Sequence, residues 1–342
     1  MASSGGSHRA VHLLVVSGPD SPELSVLQQL PAGVHVVGVG RSLDDFQALT
    51  PQQWASVNVL LNCGVGPTAG KREDIRALWP KLPNLVWMHS SSSGLERLLF
   101  PELVEGPVTL TNAKGVYSHS LAEYALTACN WFAKDLPRLR RQQAASQWEP
   151  YDVEELRGRT MGIIGYGDIG QACGRLAKAF RMRVIELRRR TELSAAEREA
   201  GVVEKIYPPD QLNQLMAESD YVVMATPHTP ATHRMVGAAA LACMRPHGVF
   251  VNVGRGKCVD EAALVDALRS SRIRGAALDV FEEEPLPPSS PLWGLDNVLL
   301  SPHCAGTTRE YQLESLALFV DNMARFLGGQ ELANVCDKRG GY

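Results

Sequence analysis

The stretch Thr160 to Phe180, TMGIIGYGDIGQACGRLAKAF, constrains this chain more than any other. It reads as a short apolar strand, a glycine-spaced turn Gly165-Tyr166-Gly167-Asp168-Ile169-Gly170, and a helix with apolar residues at Ile169, Cys173, Leu176, Ala177 and Phe180. Strand, GxGxxG and amphipathic helix in that order suit a dinucleotide pyrophosphate. Gly165 permits the tight turn, Gly167 lets the backbone approach the phosphates, and Gly170 lets helix and strand pack closely. The helix start adds free N–H donors and the positive end of the helix dipole. Gly38-Val39-Gly40 lacks a third glycine at the right spacing, and Gly64-Val65-Gly66 is followed by Pro67 and meets its next glycine only at Gly70. The dinucleotide is therefore expected mid-chain.

Around that unit the sequence alternates short apolar runs with helical stretches. VHLLVV, VHVVGV, VNVLLN, NLVWMH and PVTLTN read as strands before it, separated by helical SPELSVLQQL, LDDFQAL, KREDIRALW and LERLLFPEL. After it, RVIEL, YVVMAT, GVFVNVG, GAALDVF and NVLLSP read as strands, and residues 309–327 as a closing helix. Such alternation implies parallel sheets covered on both faces. A helical pattern over residues 118–148 carries Ser118 or Ser120 as candidate caps and Pro137 as a kink or break. It suits a connector between domains, or a face that meets a partner subunit. The tail to Tyr342 reads as loosely held.

A length of 342 residues suggests two domains. A net charge of −3 gives no support for nucleic-acid binding, and no run approaches the ~18 apolar residues of a membrane span. Seven cysteines, odd in number and without a CxxC pair, argue for reduced thiols and a cytoplasmic setting. MASSGGSHRA is too short for a convincing transit peptide, although an organelle is not excluded.

The second half places three ionisable groups just past strands: Arg255 after VNVG, Glu284 after LDVFEE, and His303 after LLSP. Carboxyl ends of parallel strands share one rim, so the three are expected to gather there. Their chemistry is complementary. Reduction of a 2-oxo acid needs a hydride at the carbonyl carbon, a proton at its oxygen and a fixed cation for the carboxylate. Histidine, with an ordinary pKa of about 6.5, suits the proton transfer. A carboxylate beside it stabilises the imidazolium, and arginine binds a carboxylate through paired hydrogen bonds. Singly, Arg255 is explained equally well by a cofactor phosphate, Glu284 by a solvated acidic turn and His303 by an ordinary loop. The set, in a nucleotide-binding unit, carries the reading.

At the end of RVIEL stand Arg188, Arg189 and Arg190, where an acid would bind the ribose 2′-hydroxyl of NAD. Glu186 lies within the strand and leaves NAD possible, but adjacent guanidinium groups favour the 2′-phosphate of NADP. The loop Ser90 to Gly94 (SSSSG) follows a strand, and its small residues suit backbone donation to a carboxylate or, equally, a flexible polar loop. His228 and His233, five apart across Pro230, do not suit a metal, and no GxSxG elbow supports a Ser-His-Asp hydrolase.

With these residues in view, the chain resembles the D-isomer-specific 2-hydroxyacid dehydrogenase family over about residues 82–306. The resemblance is carried by SSSSGLERL, TNAKGVYSHSLAEYAL, GIIGYGDIGQACGRLAKAF, ATPHTPATHRMV, NVGRGKCVDEAAL, GAALDVFEEEPLP and PLWGLDNVLLSPHCAG. It implies two doubly wound α/β domains, with a Rossmann dinucleotide-binding domain (residues 115–305) inserted into a discontinuous flavodoxin-like substrate domain (residues 1–114 and 306–342). It assigns Arg255, Glu284 and His303 to catalysis, and Ser93 and Gly94 to the backbone carboxylate loop. Gly64 and Val65 fall in a second substrate loop. Asp279 and Val253 fall beside the nicotinamide, where His303 also lies, and Thr226 and Pro227 beside the adenosine half. It further implies a small 2-oxo or 2-hydroxy acid as substrate, an NADPH-preferring glyoxylate or hydroxypyruvate reductase type of activity, and a homodimer. Arg188 departs from the aspartate of the family's NAD-using members. The rival expectation is a nucleotide-sensing binding protein on the same fold, as in the family's corepressors.

Overall fold

A computed structural model of the protein describes residues 10–63 and 70–341, apart from the side chains of Glu23 and Arg309. The loop candidates Gly64 and Val65 lie outside the described residues. The chain divides into two compact units, one of the residues up to Val116 together with those from Thr308, the other Tyr117–Thr307.

The first unit holds β1 (Val11–Val16), β2 (Val34–Gly40), β3 (Val59–Asn62), β4 (Trp87–Ser90) and β5 (Thr109–Asn112). They form one parallel sheet in the order β2-β1-β3-β4-β5, the flavodoxin-like winding. The second unit holds β6 (Thr160–Ile164), β7 (Arg183–Leu187), β8 (Lys205–Tyr207), β9 (Tyr221–Met224), β10 (Val249–Asn252), β11 (Gly275–Leu278) and β12 (Val298–Leu300). Its parallel order, β12-β11-β10-β9-β6-β7-β8, is the Rossmann winding, reversing between β6 and β9.

The strand sequences explain this arrangement. Every residue of β3, β4, β6, β9, β10 and β11 is buried, as expected for near-continuous apolar runs covered on both faces. In the second unit, Ile164, Ile185, Leu187, Val222 and Phe250 enter one core, while Ile163, Val184, Val223 and Val251 enter another. That alternation is the period of two of a pleated strand. Glu186, on β7, is the exception: an acid at 0% exposure.

Several helix expectations are modified for local reasons. The predicted helix over LERLLFPEL shrinks to Pro101–Glu105, because Pro101 forces Phe100 into the extended region (φ −142°, ψ 159°) and serves as the first helical residue. SPELSVLQQL and LDDFQAL become 3₁₀ turns over Pro22–Gln29 and Leu43–Phe46. The 118–148 pattern breaks at Asp135 (φ 45°) into Ser118–Ala133 and Leu136–Ala144, with Pro137 in the first turn of the second helix. Neither Ser118 nor Ser120 caps it, since the N-cap position falls on Tyr117. Far from merely connecting, the first of these helices buries Leu121, Ala125, Leu126, Cys129 and Phe132 in the core of the second unit.

The tail is held, contrary to expectation. Lys338 Nζ donates to the carbonyl oxygens of Leu103, Gly106 and Val108 at 2.9, 2.7 and 2.9 Å, and Cys336 N–H donates to Leu110 at 2.8 Å.

Beside β4's Trp87, the His89 ring is fully buried, its centroid 5.4 Å from that of Phe319. Thr111 Oγ1 receives Trp87 Nε1–H at 2.9 Å and lies 2.7 Å from His89 Nδ1, so its own proton goes to that nitrogen. Burial lowers the His89 imidazole to about 3. The unfolded chain binds this proton near pH 6.5 and the folded chain only near 3, so stability falls as pH drops through that window. The slope is at most about 1.4 kcal/mol per pH unit for one proton. Chemical denaturation at pH 7.5, 6.0 and 5.0 is expected to show this loss in wild type, and a flatter slope in His89→Phe even if that variant starts less stable. An identical slope in both would discard the assignment.

Candidate active site

All seven strands of the second unit run the same way, so their carboxyl ends form one rim, and the segments leaving it carry the predicted residues in spatial order. From one edge inward these are His303 after β12, Asp279 and Glu284 after β11, Val253 and Arg255 after β10, and Thr226 and Pro227 after β9. The glycine turn follows after β6 and Arg188 after β7. The turn sits at the point where strand order reverses, where ligands bind in such sheets.

Gly165 has φ +91°, a left-handed conformation that side chains resist. A Cβ on Gly170 would stand 2.2 Å from Gly165 O, so the close approach of helix to turn depends on its absence. Gly167 differs: a Cβ there would meet no protein atom within 4 Å. Packing does not require a glycine at that position; a ligand lying against the backbone does. Gly167 also precedes the Asp168–Ala179 helix at its N-cap position. Beside the turn, Thr226 Oγ1 is buried without a hydrogen-bond partner, and Thr226 Cγ2 would lie 2.7 Å from a Cβ on Gly165. A space that only glycine leaves open, together with a buried hydroxyl in need of a partner, fits the phosphates of a dinucleotide.

At the β7 end, Arg188 is 10% exposed, its Nε 2.8 Å from Glu186 Oε1 without the alignment of a hydrogen bond. Burial raises the Glu186 carboxyl to about 7, against the opposing pull of Arg188. Arg188 Nη1 donates to Glu197 Oε1 at 2.5 Å and Nη2 to the Glu192 carbonyl at 3.1 Å. Arg189 and Arg190 are exposed. Hydrogen bonds from Arg188, above all, hold the Glu197 carboxyl down at about 2. The sequence reading missed Glu197. Its signal was the capping pattern Ser194-Ala-Ala-Glu197, which announces a helix start but not arginine partners.

At the opposite end of the rim, His303 Nδ1 lies 2.8 Å from Glu284 Oε2, and Glu284 Oε1 accepts from Phe281 N–H at 3.1 Å. Two residues 19 apart in sequence are thus paired as expected. The carboxylate is an acceptor, so Nδ1 carries the proton toward it and Nε2 is left for other chemistry. Arg255 is half-buried, and its Nη1 donates to Gly254 O at 2.8 Å.

Asp279, 1% exposed, supports the histidine loop. Its carbonyl accepts from His303 N–H at 2.9 Å, and its Oδ1 accepts from Ser301 Oγ, Cys304 N–H and Ala305 N–H at 2.7, 2.9 and 3.0 Å. These bonds hold His303 at φ +52°, a left-handed conformation uncommon outside glycine. Ser301 Oγ also lies 2.9 Å from Tyr124 Oη. Serine has one proton and the carboxylate can only accept, so Tyr124 donates to Ser301. Burial raises the Tyr124 hydroxyl to about 12, in keeping with that role. Sequence gave no sign of Tyr124 or Ser301.

In the first unit, Ser93 and Gly94 follow β4 in a partly buried loop. Asn112 Nδ2 donates to Ser93 O at 2.8 Å and Ser315 Oγ to Ser91 O at 2.9 Å, so the loop is tied down. His228 and His233 face each other, Nε2 to Nδ1 3.1 Å, and among the described residues no group of three His, Cys, Asp or Glu side chains could hold a metal ion. Among those residues, too, no helix is long and apolar enough to cross a membrane.

Comparison with known proteins agrees with the two-sheet fold. A sequence model described as D-isomer specific 2-hydroxyacid dehydrogenase, NAD binding domain, matches residues 126–305. The chain is 34% identical to a glyoxylate reductase of Korarchaeum cryptofilum over 267 residues, 75% of this chain and 77% of that protein. Among solved structures it is similar to a D-isomer specific 2-hydroxyacid dehydrogenase of Xanthobacter autotrophicus Py2 in complex with NADPH (TM-score 0.80, 29% identity, 98% of this chain and 100% of that one). It is also similar to an NADPH-dependent glyoxylate/hydroxypyruvate reductase of Sinorhizobium meliloti (TM-score 0.78, 26% identity, 97% and 100%).

The glycines generate a paired prediction. Gly167→Ala is expected to melt within a few degrees of wild type yet bind dinucleotide at least ~10-fold more weakly, because its Cβ enters only ligand space. Gly170→Ala is expected to lose thermal stability outright. Melting curves and fluorescence titration with NADPH check both, and undiminished affinity in Gly167→Ala would refute the phosphate assignment.

Proposed function

The chain belongs to the D-isomer-specific 2-hydroxyacid dehydrogenase family, and from that premise we propose that it reduces a small 2-oxo acid to the D-2-hydroxy acid. The substrate is of the glyoxylate, hydroxypyruvate or pyruvate type, and NADPH is preferred to NADH. The observation that carries this reading is the 2.8 Å contact of His303 with Glu284 on the same rim as the glycine turn. The glyoxylate reductase of Korarchaeum cryptofilum and the NADPH-dependent reductase of Sinorhizobium meliloti support the substrate class. The arginines after β7 support the cofactor preference.

The dinucleotide, when bound, supplies the hydride. Gly165, Tyr166, Gly167, Asp168, Ile169 and Gly170 hold its phosphates, Thr226 and Pro227 flank its adenosine half, and Val253 and Asp279 flank its nicotinamide. Arg188 and Arg189 select the 2′-phosphate. Arg255 binds the substrate carboxylate with two N–H groups and polarises the adjacent carbonyl. In the first unit, the Ser93 and Gly94 amides are donors of the kind a carboxylate takes. His303 delivers a proton from Nε2 to the carbonyl oxygen, while Glu284 at Nδ1 stabilises the ring and fixes its tautomer. Asp279 keeps the His303 backbone in its left-handed conformation, so the ring is aimed before substrate arrives.

The same reading places the enzyme in the cytoplasm as a homodimer. The exposed side chains of Leu139 and Trp148 around the Leu136–Ala144 helix supply apolar surface for a second copy.

Cofactor absorbance followed with glyoxylate, hydroxypyruvate and pyruvate, each with NADPH and NADH, tests the assignment. Turnover is expected with at least one acid and a higher kcat/KM for NADPH; no turnover in any combination would sink it. His303→Ala is expected to lower kcat by about 10²–10⁴-fold. Glu284→Gln should lower kcat less and leave KM within about twofold, since it acts on the ring and not on the substrate.

A further inference from the structure

The acids around the arginines after β7 do not serve the reaction just described. Glu197 accepts from Arg188 Nη1 at 2.5 Å and Nη2 at 3.3 Å, from Arg190 Nη2 at 2.8 and 2.7 Å, and from Ser194 N–H at 2.6 Å. Two guanidinium groups and a backbone amide converge on this one carboxylate, the donor set that would otherwise suit a phosphate. Arg188 is further committed through Nε to Glu186 and through Nη2 to Glu192 O, so its fork has no pair of donors left that does not involve Glu197.

Building on the cofactor reading above, we propose that Glu197 is an internal competitor for the 2′-phosphate of NADP, and so sets the balance between NADP and NAD. The charges make the case. With both acids ionised, Glu186 and Glu197 match the charges of Arg188 and Arg190 and leave Arg189 as the net charge of the cluster. A phosphate monoester brings about −1.5 to −2 near neutral pH. To use either guanidinium it must displace Glu197 or share a guanidinium with it, and two anions on one cation repel. The ribose hydroxyl of NAD is neutral and meets no such conflict. Of the two acids, Glu197 is the one placed to yield. Glu186 is at 0% exposure inside β7, whereas Glu197 is 14% exposed and its second partner Arg190 is 52% exposed. The competitor therefore weakens NADP selectively, without obstructing the turn that holds the shared phosphates.

Glu197→Gln tests this with little disturbance. Glutamine keeps the size and an oxygen for Ser194 N–H, so the capping pattern survives. Binding is measured by calorimetry with NADPH and NADH, and with adenosine 2′,5′-bisphosphate against AMP, ligands that undergo no reduction. The variant is expected to bind NADPH and the bisphosphate at least fivefold more tightly than wild type, with NADH and AMP within twofold. Glu199→Gln, an equal charge change on an exposed neighbour, should alter neither. Unchanged or weaker NADPH binding in Glu197→Gln, with NADH binding intact, overturns the competitor role and leaves the reductase reading standing. Failure of wild type to bind either dinucleotide overturns both.

Discussion

The structure depends on one constraint: a parallel sheet buried on both faces leaves little place for charge except where its strands end. The central strands of the second unit are buried on both sides, with Glu186 of β7 the charged exception, so most of the polar groups the protein needs are pushed to the rim, and strand polarity collects them on one rim. Six successive strands, from β12 to β7, each deliver a different chemical group there. The groups proposed for substrate and for phosphate are therefore arranged as a line along the sheet edge, set by the strand order. A one-residue slip of any strand would turn its apolar residues to the opposite face, which is why the line is as well defined as the core beneath it.

The histidine end of that line shows how a buried charge is made useful. Asp279 loses nearly all contact with water, and an unpaired carboxylate there would be severely destabilising. Three donors to one oxygen offset that loss, each hydrogen bond to a charged group contributing about 1.5–3 kcal/mol. Two of those donors, Cys304 N–H and Ala305 N–H, belong to the chain just past His303. Satisfying the buried aspartate and bending His303 into a left-handed conformation are thus the same event. The orientation of the ring is a by-product of hydrogen-bond satisfaction, and Tyr124 extends the effect to a helix 177 residues away from Ser301 in sequence.

How much of this was legible in the sequence follows from the range of the interactions. The strands were readable because burial on both faces leaves an unbroken apolar run. The glycine turn was readable because each glycine answers a local backbone demand. Arg255, Glu284 and His303 were readable as residues immediately past strands, and the His303–Glu284 contact followed from adjacency of β11 and β12. Helix ends were less legible: LERLL is helical by composition, but Pro101 sets the start of the helix. The tail misled because Lys338 is an ordinary surface residue until three carbonyl oxygens more than 200 residues away are placed around it. Tyr124 and Ser301 left no trace for the same reason, since neither residue type nor spacing announces a partner met only after folding.

Glu197 stands between these cases, and its position changes what an arginine cluster means. Three consecutive arginines read from sequence as a surplus of positive charge awaiting an anion. In the folded chain part of that surplus is spent, because Glu186 within β7 and Glu197 at a helix start bring opposite charge to the same place. An arginine held between two carboxylates is better ordered than a free one, since its fork is pre-positioned, but it is a weaker attractor for a further anion. Order and attraction are set by different residues here: Glu186 and Glu192 O position Arg188, while Glu197 adjusts how strongly the pair with Arg190 draws an incoming phosphate. On the proposed reading, cofactor preference in this chain follows the charge balance around the arginines and not their number alone, and it is tuned from a residue outside the strand and its glycine turn.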